Sequence, residues 1–243
     1  MKRNLLNVFY PESMFGGFSR FDGTIAFYSR VNELVNSDSV VLDVGCGRGV
    51  WLNDPVRIRR QLRDFRGRCA RVFGADVDPA AADNPSIDEF RLLTGTTWPF
   101  ENDSIDVCIC DVTIEHVDDT DTFLREAARV IKPGGHMAIR TPNVFSYFGL
   151  ASRLLPHRFH VRLAPRGSIA TEKDVFPTFY RCNTKWKLSR ALKTAGFDAY
   201  VYNYEQEPRY LSFWMPAYAM GVLHQRIAPR PLKIGLMAFA QKR

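Results

Sequence analysis

The chain has 243 residues, of which 46% are apolar, with 33 Lys and Arg against 26 Asp and Glu for a formal charge of +7. That size and apolar content exclude general disorder and allow one large α/β domain with a proper core, or two small ones. The positive balance favours acidic partners but carries no information about fold.

In chain order, residues 1–23 are rich in Gly, Phe and Pro and read as an irregular arm, and a helix is expected over 25–34 (IAFYSRVNEL). Residues 39–44 suit a buried strand, and 45–49 (GCGRG) place three glycines in five positions directly after it. A helix covering 56–65 should follow, because Pro55 suits a first helical turn. Strands are expected at 72–77, 89–93, 105–111, 136–141, 197–204 and 232–240, with helices at 121–131 and 184–194. Phe123, Leu124, Ala127, Ala128 and Ile131 share one face of the first of these helices, and Pro133-Gly134-Gly135 stops it. Alternation at this spacing gives a mostly parallel sheet wound on both faces, which binds ligands at the carboxyl ends of its strands. The gap from 142 to 183 is too long for a simple connection and is expected to be functional.

The five cysteines show no paired framework; all read as reduced thiols, and no Cys/His cluster has metal-ligand spacing. The most apolar window, 211–223 (LSFWMPAYAMGVL), is interrupted by Pro216 and falls short of the ~20 residues that cross a bilayer, so it reads as a buried helix or lid, with shallow membrane contact as the alternative. No apolar stretch of signal-peptide quality follows Met1-Lys2-Arg3, and a cytoplasmic location is expected. Arginines 57–71 read as a surface face. Arg153, Arg158, Arg162 and Arg166 cluster without a nearby acid, around His157 and His160.

A glycine loop after the first strand and an acid ending the second is the arrangement that binds an adenosine ribose, with Asp76 as the acid and Asp78 as the fallback. At this point the sequence resembles the class I S-adenosylmethionine-dependent methyltransferases, specifically the small-molecule type-11 group. The resemblance is carried by VLDVGCGRG (41–49), FGADVDP (73–79), WPFENDSIDVCIC (98–110), IEHVDD (114–119) and LREAARVIKPGGHMAIRTPN (124–143), in the family's order. It implies a Rossmann-like, doubly wound seven-stranded sheet of order 3-2-1-4-5-7-6 with strand 7 antiparallel. It divides one methyltransferase domain into an N-terminal arm (1–38), a cofactor core (39–143), a substrate lid inserted after strand 5 (144–183) and a C-terminal part (184–243).

The same resemblance implies S-adenosylmethionine as methyl donor and S-adenosylhomocysteine as product. Gly45, Cys46, Gly47 and Gly49 would form the loop around the methionine part. Asp43 would hold that loop or reach the cofactor amino group through water. Asp76 would bind the ribose, Val77 would pack on the adenine, and Asp111 and Val112 would meet the methionine side through backbone groups. Many relatives carry an Asp before the Pro-Phe turn for the adenine amino group; here residues 93–98 read LTGTTW, and Gly95 and Thr96 would take its place. Tyr28 is either a wall of the cofactor site or a core aromatic. His116, His157 and His160 are candidates for a general base, which a hydroxyl acceptor needs. Arg153, Arg158 and Arg162 would favour an anionic small-molecule or glycan acceptor, or else form a solvated surface. No metal is demanded.

The implied reaction is O-methylation in bacterial surface-glycan or secondary-metabolite biosynthesis. An RNA methyltransferase is the alternative that the charge permits, but no motif for base chemistry is present. A non-catalytic cofactor-binding protein would not need both an intact glycine loop and Asp76. A nicotinamide dehydrogenase would need a further helix glycine that is missing.

Overall fold

The computed structural model describes residues 4–147, 149–150 and 177–243. Seven strands form one sheet: β1 (Val40–Val44), β2 (Arg71–Asp76), β3 (Glu89–Leu92), β4 (Ile105–Asp111), β5 (Ile131–Pro142), β6 (Phe197–Tyr204) and β7 (Gly235–Lys242). Their order is β3-β2-β1-β4-β5-β7-β6, parallel from β3 to β5, with β7 antiparallel to both neighbours. This is the architecture that the resemblance implied.

The central strands are apolar because helices cover both faces. On one face Leu42, Val44, Cys108 and Cys110 pack with residues of α4 (Thr120–Val130) and α5 (Lys185–Thr194). On the other, Val41, Val107 and Ile109 pack with Phe27, Tyr28 and Val31 of α2 (Gly23–Leu34). Asp22 caps α2, accepting from the amides of Thr24 and Ile25 at 3.0 Å each.

Four expectations are corrected. The 1–23 arm is partly ordered: α1 (Leu5–Phe9) starts at an Asn4 cap, and a 3₁₀ turn follows at Pro11–Met14. After the glycines the chain first makes a 3₁₀ turn (Val50–Asn53), and α3 spans only Arg57–Arg63 because extended Asp54 and Val56 interrupt the helix. Pro133-Gly134-Gly135 lies inside β5 rather than before it: pairing jumps from Ile105↔Ile131 to Val107↔His136, so residues 132–135 bulge out, with Gly134 at φ 78°. Arginines 57–71 are not all a surface face, since Arg59 is buried against Asp22 at 2.5 Å and Asp54 at 3.4 Å. The apolar window 211–223 supplies most of α6 (Met215–Ile227), whose inner face packs on α1 through Phe9–Tyr218 and the Tyr10 hydroxyl, which donates to Gln225 at 2.7 Å.

Candidate functional site

A cleft of about 510 Å³ opens at the carboxyl ends of β1, β2 and β4, within the ~300–1,000 Å³ of ordinary small-molecule sites. Its floor is the glycine loop. Gly45, Gly47 and Gly49 all have left-handed backbones, at φ 75°, 54° and 70°. At Gly45 a side chain is excluded twice: by φ, and by Thr113, whose Cβ would lie 2.9 Å from an added Cβ. The Gly45 amide donates to the Ala75 carbonyl at 2.7 Å, tying the loop to β2.

Asp76 ends β2 with its carboxylate buried and facing the cleft. Oδ2 accepts from the Gly47 amide and Oδ1 from the Asp78 amide, at 2.9 Å each. A carboxylate offers about four lone pairs, so two acceptor sites remain for a ligand's hydroxyls. Asp78 instead pairs with Arg48 at 2.6 Å, which draws its carboxyl below the usual range and engages both side chains with each other. Val77, Leu93, Trp98, Val117 and Phe123 give the cleft an apolar wall, and Gly95 and Thr96 line it where no acid is present. The turn holding Trp98 is pinned by α4: the Trp98 amide donates to Glu126 at 2.7 Å and Arg129 donates to the Trp98 carbonyl at 2.9 Å.

His116 lines the same cleft, its Nδ1 2.8 Å from the Pro177 carbonyl. A carbonyl only accepts, so Nδ1 carries the proton and the neutral ring's lone pair is at Nε2. Beside it, Glu115 is buried; its Oε2 accepts from the Thr141 hydroxyl at 2.9 Å, and Thr141 in turn accepts from the Asn183 amide at 2.7 Å. Burial outweighs those bonds and pushes Glu115 up to about 7.

A second cavity of about 250 Å³ lies at the ends of β5 and β6, lined by Arg140, Thr141, Tyr204, Arg209 and Tyr210 among others. Val112 lines both cavities. It has φ 57°, an unfavourable backbone for a β-branched residue, held by its amide's bond to the Arg140 carbonyl at 2.8 Å. Tyr204 enters this cavity between two glycines: a Cβ on Gly23 would come within 2.7 Å of its Cε2, and one on Gly235 within 2.7 Å of its Cζ.

Arg140, which lines the second cavity, also anchors a buried ion network. Arg140 donates to Asp111 at 2.7 and 2.8 Å and to Thr24 at 3.0 Å, the Tyr28 hydroxyl donates to Asp111 at 3.0 Å, and Arg63 stands 3.6 Å away. Burial raises the Asp111 carboxyl, but the two guanidiniums outweigh it and hold it below its ordinary value. Asp43 receives less compensation: burial, with Asp111 and Asp76 nearby and only Arg63 opposing, raises it to about 7.

The comparisons with known proteins follow this geometry. The profile described as a methyltransferase domain, of the type-11 group, matches residues 42–139, which span β1 to β5 and every element that forms the cleft floor. Residues 42–139 form a methyltransferase domain. The chain is 30% identical over 138 residues to the ubiquinone biosynthesis O-methyltransferase of Brucella ovis, covering 56% of the chain and 54% of that protein. The enzyme of the same name from Chelativorans sp. (strain BNC1) is also 30% identical, over 157 residues, or 64% and 57% of the two. The chain thus spans little more than half the length of the curated relatives it matches. In fold it is similar to an Archaeoglobus fulgidus SAM-dependent methyltransferase, with TM-score 0.58, 16% identity and coverage of 95% and 97%. It is also similar to geranyl diphosphate C-methyltransferase from Streptomyces coelicolor A3(2), solved with S-adenosylhomocysteine, with TM-score 0.56, 15% identity and coverage of 90% and 79%.

Of the site residues expected from the sequence, Gly45, Gly47, Asp76, Val77, Gly95, Thr96, Val112 and His116 line the cleft. Gly49 shapes the loop from outside it, its hydrogen side facing Asn84. Cys46 turns its thiol into the core, where burial pushes it up and keeps it protonated. Tyr28 is the core aromatic rather than a cofactor wall, because its hydroxyl is drawn to Asp111. Asp43 and Asp111 lie beneath the site and do not line it. Arg153, His157, Arg158, His160 and Arg162 lie outside the described residues. Sequence reasoning gave no role to Arg140, Thr141, Tyr204, Arg209 or Tyr210, and named Glu115 only inside a motif. An arginine inside an apolar strand, at position 140, was the available signal for the buried network.

Proposed function

We propose that the 510 Å³ cleft holds S-adenosylmethionine and that the methyl group passes to a hydroxyl of a small molecule seated in the second cavity. The observation that carries this reading is Asp76: a buried carboxylate facing the cleft from the tip of β2, with two acceptor sites left, beside a glycine loop with no room for side chains at Gly45. When bound, the cofactor supplies a sulfonium methyl that is already electrophilic. Asp76 binds the ribose, Val77 and its apolar neighbours cover the adenine, and Gly95 and Thr96 meet its edge. Asp43, held at about 7, ionises when an ammonium group comes near and reaches it through water.

Transfer to oxygen requires that the acceptor lose a proton. Glu115 is suited to receive it: it is tuned near neutrality, and Thr141 connects it to the second cavity by a hydroxyl that already donates to it. The acceptor proton moves to Thr141 Oγ1 while the Thr141 proton moves to Glu115. His116 stands on the cofactor side and orients rather than deprotonates. The phenols of Tyr204 and Tyr210 and the guanidinium of Arg209 offer hydrogen bonds to an oxygen-rich acceptor, and an acceptor bearing a phosphate or carboxylate suits Arg209 best. The relatives' names, O-methyltransferases of ubiquinone biosynthesis, support oxygen as the atom methylated.

The test is release of S-adenosylhomocysteine by the purified protein with hydroxylated small molecules, with and without an anionic group. Glu115→Gln should lower kcat by about 10²-fold, the low end of general-base effects, with cofactor affinity unchanged. Wild-type activity should rise with pH through about 7 as Glu115 loses its proton, and that limb should vanish in the variant. A variant that keeps full rate and the same pH limb removes Glu115 from the mechanism; failure to bind the cofactor removes the methyltransferase reading.

A further inference from the structure

α6 is apolar on two sides. Its inner side, Ala217, Tyr218, Gly221, Val222 and Gln225, is buried. Residues spaced by four, three and four turn to the opposite side of a helix. Here they are Pro216, Met220, Leu223 and Ile227, all exposed, the last three at 62, 56 and 70%. Immediately before the helix, Phe213 and Trp214 are 62 and 58% exposed. A helix with apolar groups all round is normally covered by protein or lipid. Thirteen residues rise only about 20 Å, short of the ~30 Å hydrocarbon core, so a lipid-facing α6 lies along a surface rather than through it.

Charge selects the occupant. From Pro208 to Arg243 the sequence has no Asp or Glu; Arg209 pairs with Asp22 and Glu207, while Arg226, Arg230 and Lys233 follow the apolar face within that stretch. An apolar stripe with Trp and Phe at one end, exposed Arg226 and Arg230 beside it and the neighbouring acids Glu205 and Glu207 turned inward has the composition of an interfacial helix on an anionic bilayer. A second copy of this chain, also at +7, would bring the same cations together.

We infer that the outer face of α6, with Phe213 and Trp214, docks this protein on the surface of an anionic lipid membrane. The segment begins at Arg209 and Tyr210 and ends at Ile234, and all three line the second cavity. Docking therefore brings lipid headgroups to the segment that forms that cavity. This consequence rests on the proposed acceptor site, but docking itself does not, and it is measured without turnover.

The experiment is cosedimentation of the full chain with vesicles of phosphatidylglycerol and phosphatidylcholine in equal parts, and with phosphatidylcholine alone. Binding is expected on the mixed vesicles, weaker on the neutral ones, and reduced about tenfold when salt is raised from low to molar concentration. Met220→Ser/Leu223→Ser/Ile227→Ser should lose binding with an unchanged melting temperature, since all three side chains are exposed. Arg226→Glu/Arg230→Glu should lose the preference for anionic lipid and provides the test if the serine variant misfolds. Equal recovery with and without vesicles overturns the inference. So does a serine variant that folds and binds as well as the parent, or a dimer in sedimentation that the same variant dissolves.

Discussion

Replacing Asp76 by Ala removes a carboxylate with two separable duties. Without ligand it accepts from the Gly47 and Asp78 amides at 2.9 Å each. Losing an acceptor for these partly buried amides costs about 1 kcal/mol of stability apiece, less where water enters the opened space. With ligand, the same oxygens are proposed to take the ribose hydroxyls, and hydrogen bonds to a charged group contribute about 1.5–3 kcal/mol. Cofactor affinity should therefore fall by about 10- to 150-fold, beyond any loss of folding stability. Calorimetric titration with S-adenosylhomocysteine reads the first quantity and thermal melting of the ligand-free protein reads the second. Asp76→Asn, which keeps one acceptor oxygen but turns an amide donor toward a backbone donor, should fall between. A folded Asp76→Ala protein with affinity within about twofold of wild type would refute the ribose assignment. If Asp78→Ala took the whole loss instead, the ribose would belong to Asp78 despite its pairing with Arg48.

Gly45→Ala should lower stability by about 1–2 kcal/mol and abolish measurable cofactor binding, because it meets both a left-handed φ and Thr113; adding Thr113→Gly should recover the steric part alone, as read by thermal melting and titration. Arg140→Met should cost about 3–5 kcal/mol in urea unfolding, since it leaves Asp111 buried without its bidentate partner, and a companion Asp111→Leu should recover much of that loss; a cost under about 1 kcal/mol would show the pair to be hydrated. Burial raises Glu205 to about 7, above the ~4.3 of an unfolded glutamate, so its native carboxyl holds a proton that the unfolded chain has released. Its contribution is present below about 4.3 and is lost as pH rises through 7. Glu205→Gln should then match wild type near pH 4 and exceed it by about 1–3 kcal/mol at pH 8 in denaturant unfolding.

The sheet was legible because its elements are locally consistent: apolar runs of strand length, each followed by glycine, acid or proline, with one strongly amphipathic helix at 120–130. Much of the cleft lining was legible for the same reason, since those residues sit at strand ends and within one short loop. What stayed hidden depends on contacts far apart in sequence. Tyr28 and Arg140 are 112 positions apart, yet both bond Asp111 and the Arg140 guanidinium lies 6.0 Å over the Tyr28 ring. Tyr204 reaches the second cavity only because Gly23 and Gly235, 212 positions apart, leave space for its ring. Arg59 looked like one surface cation among many, yet Asp22, 37 positions earlier, draws it inward. Boundaries erred where side chains compete with the backbone, as at Asp54, whose Oδ1 accepts from the Val56 amide at 2.8 Å and delays α3.

Val112 has a consequence beyond its own turn. Among the described residues, Val112, bent into a left-handed backbone, is the one that lines both cavities. If the second cavity seats the acceptor as proposed, a smaller residue there should widen the contact between the two chambers and relax the choice of acceptor; glycine would also relieve the strain. A larger one would narrow the passage without touching any group that holds either ligand. Selectivity for the proposed acceptor can thus drift at position 112 while Asp76, the glycine loop and the Glu115–Thr141 pair stay as they are.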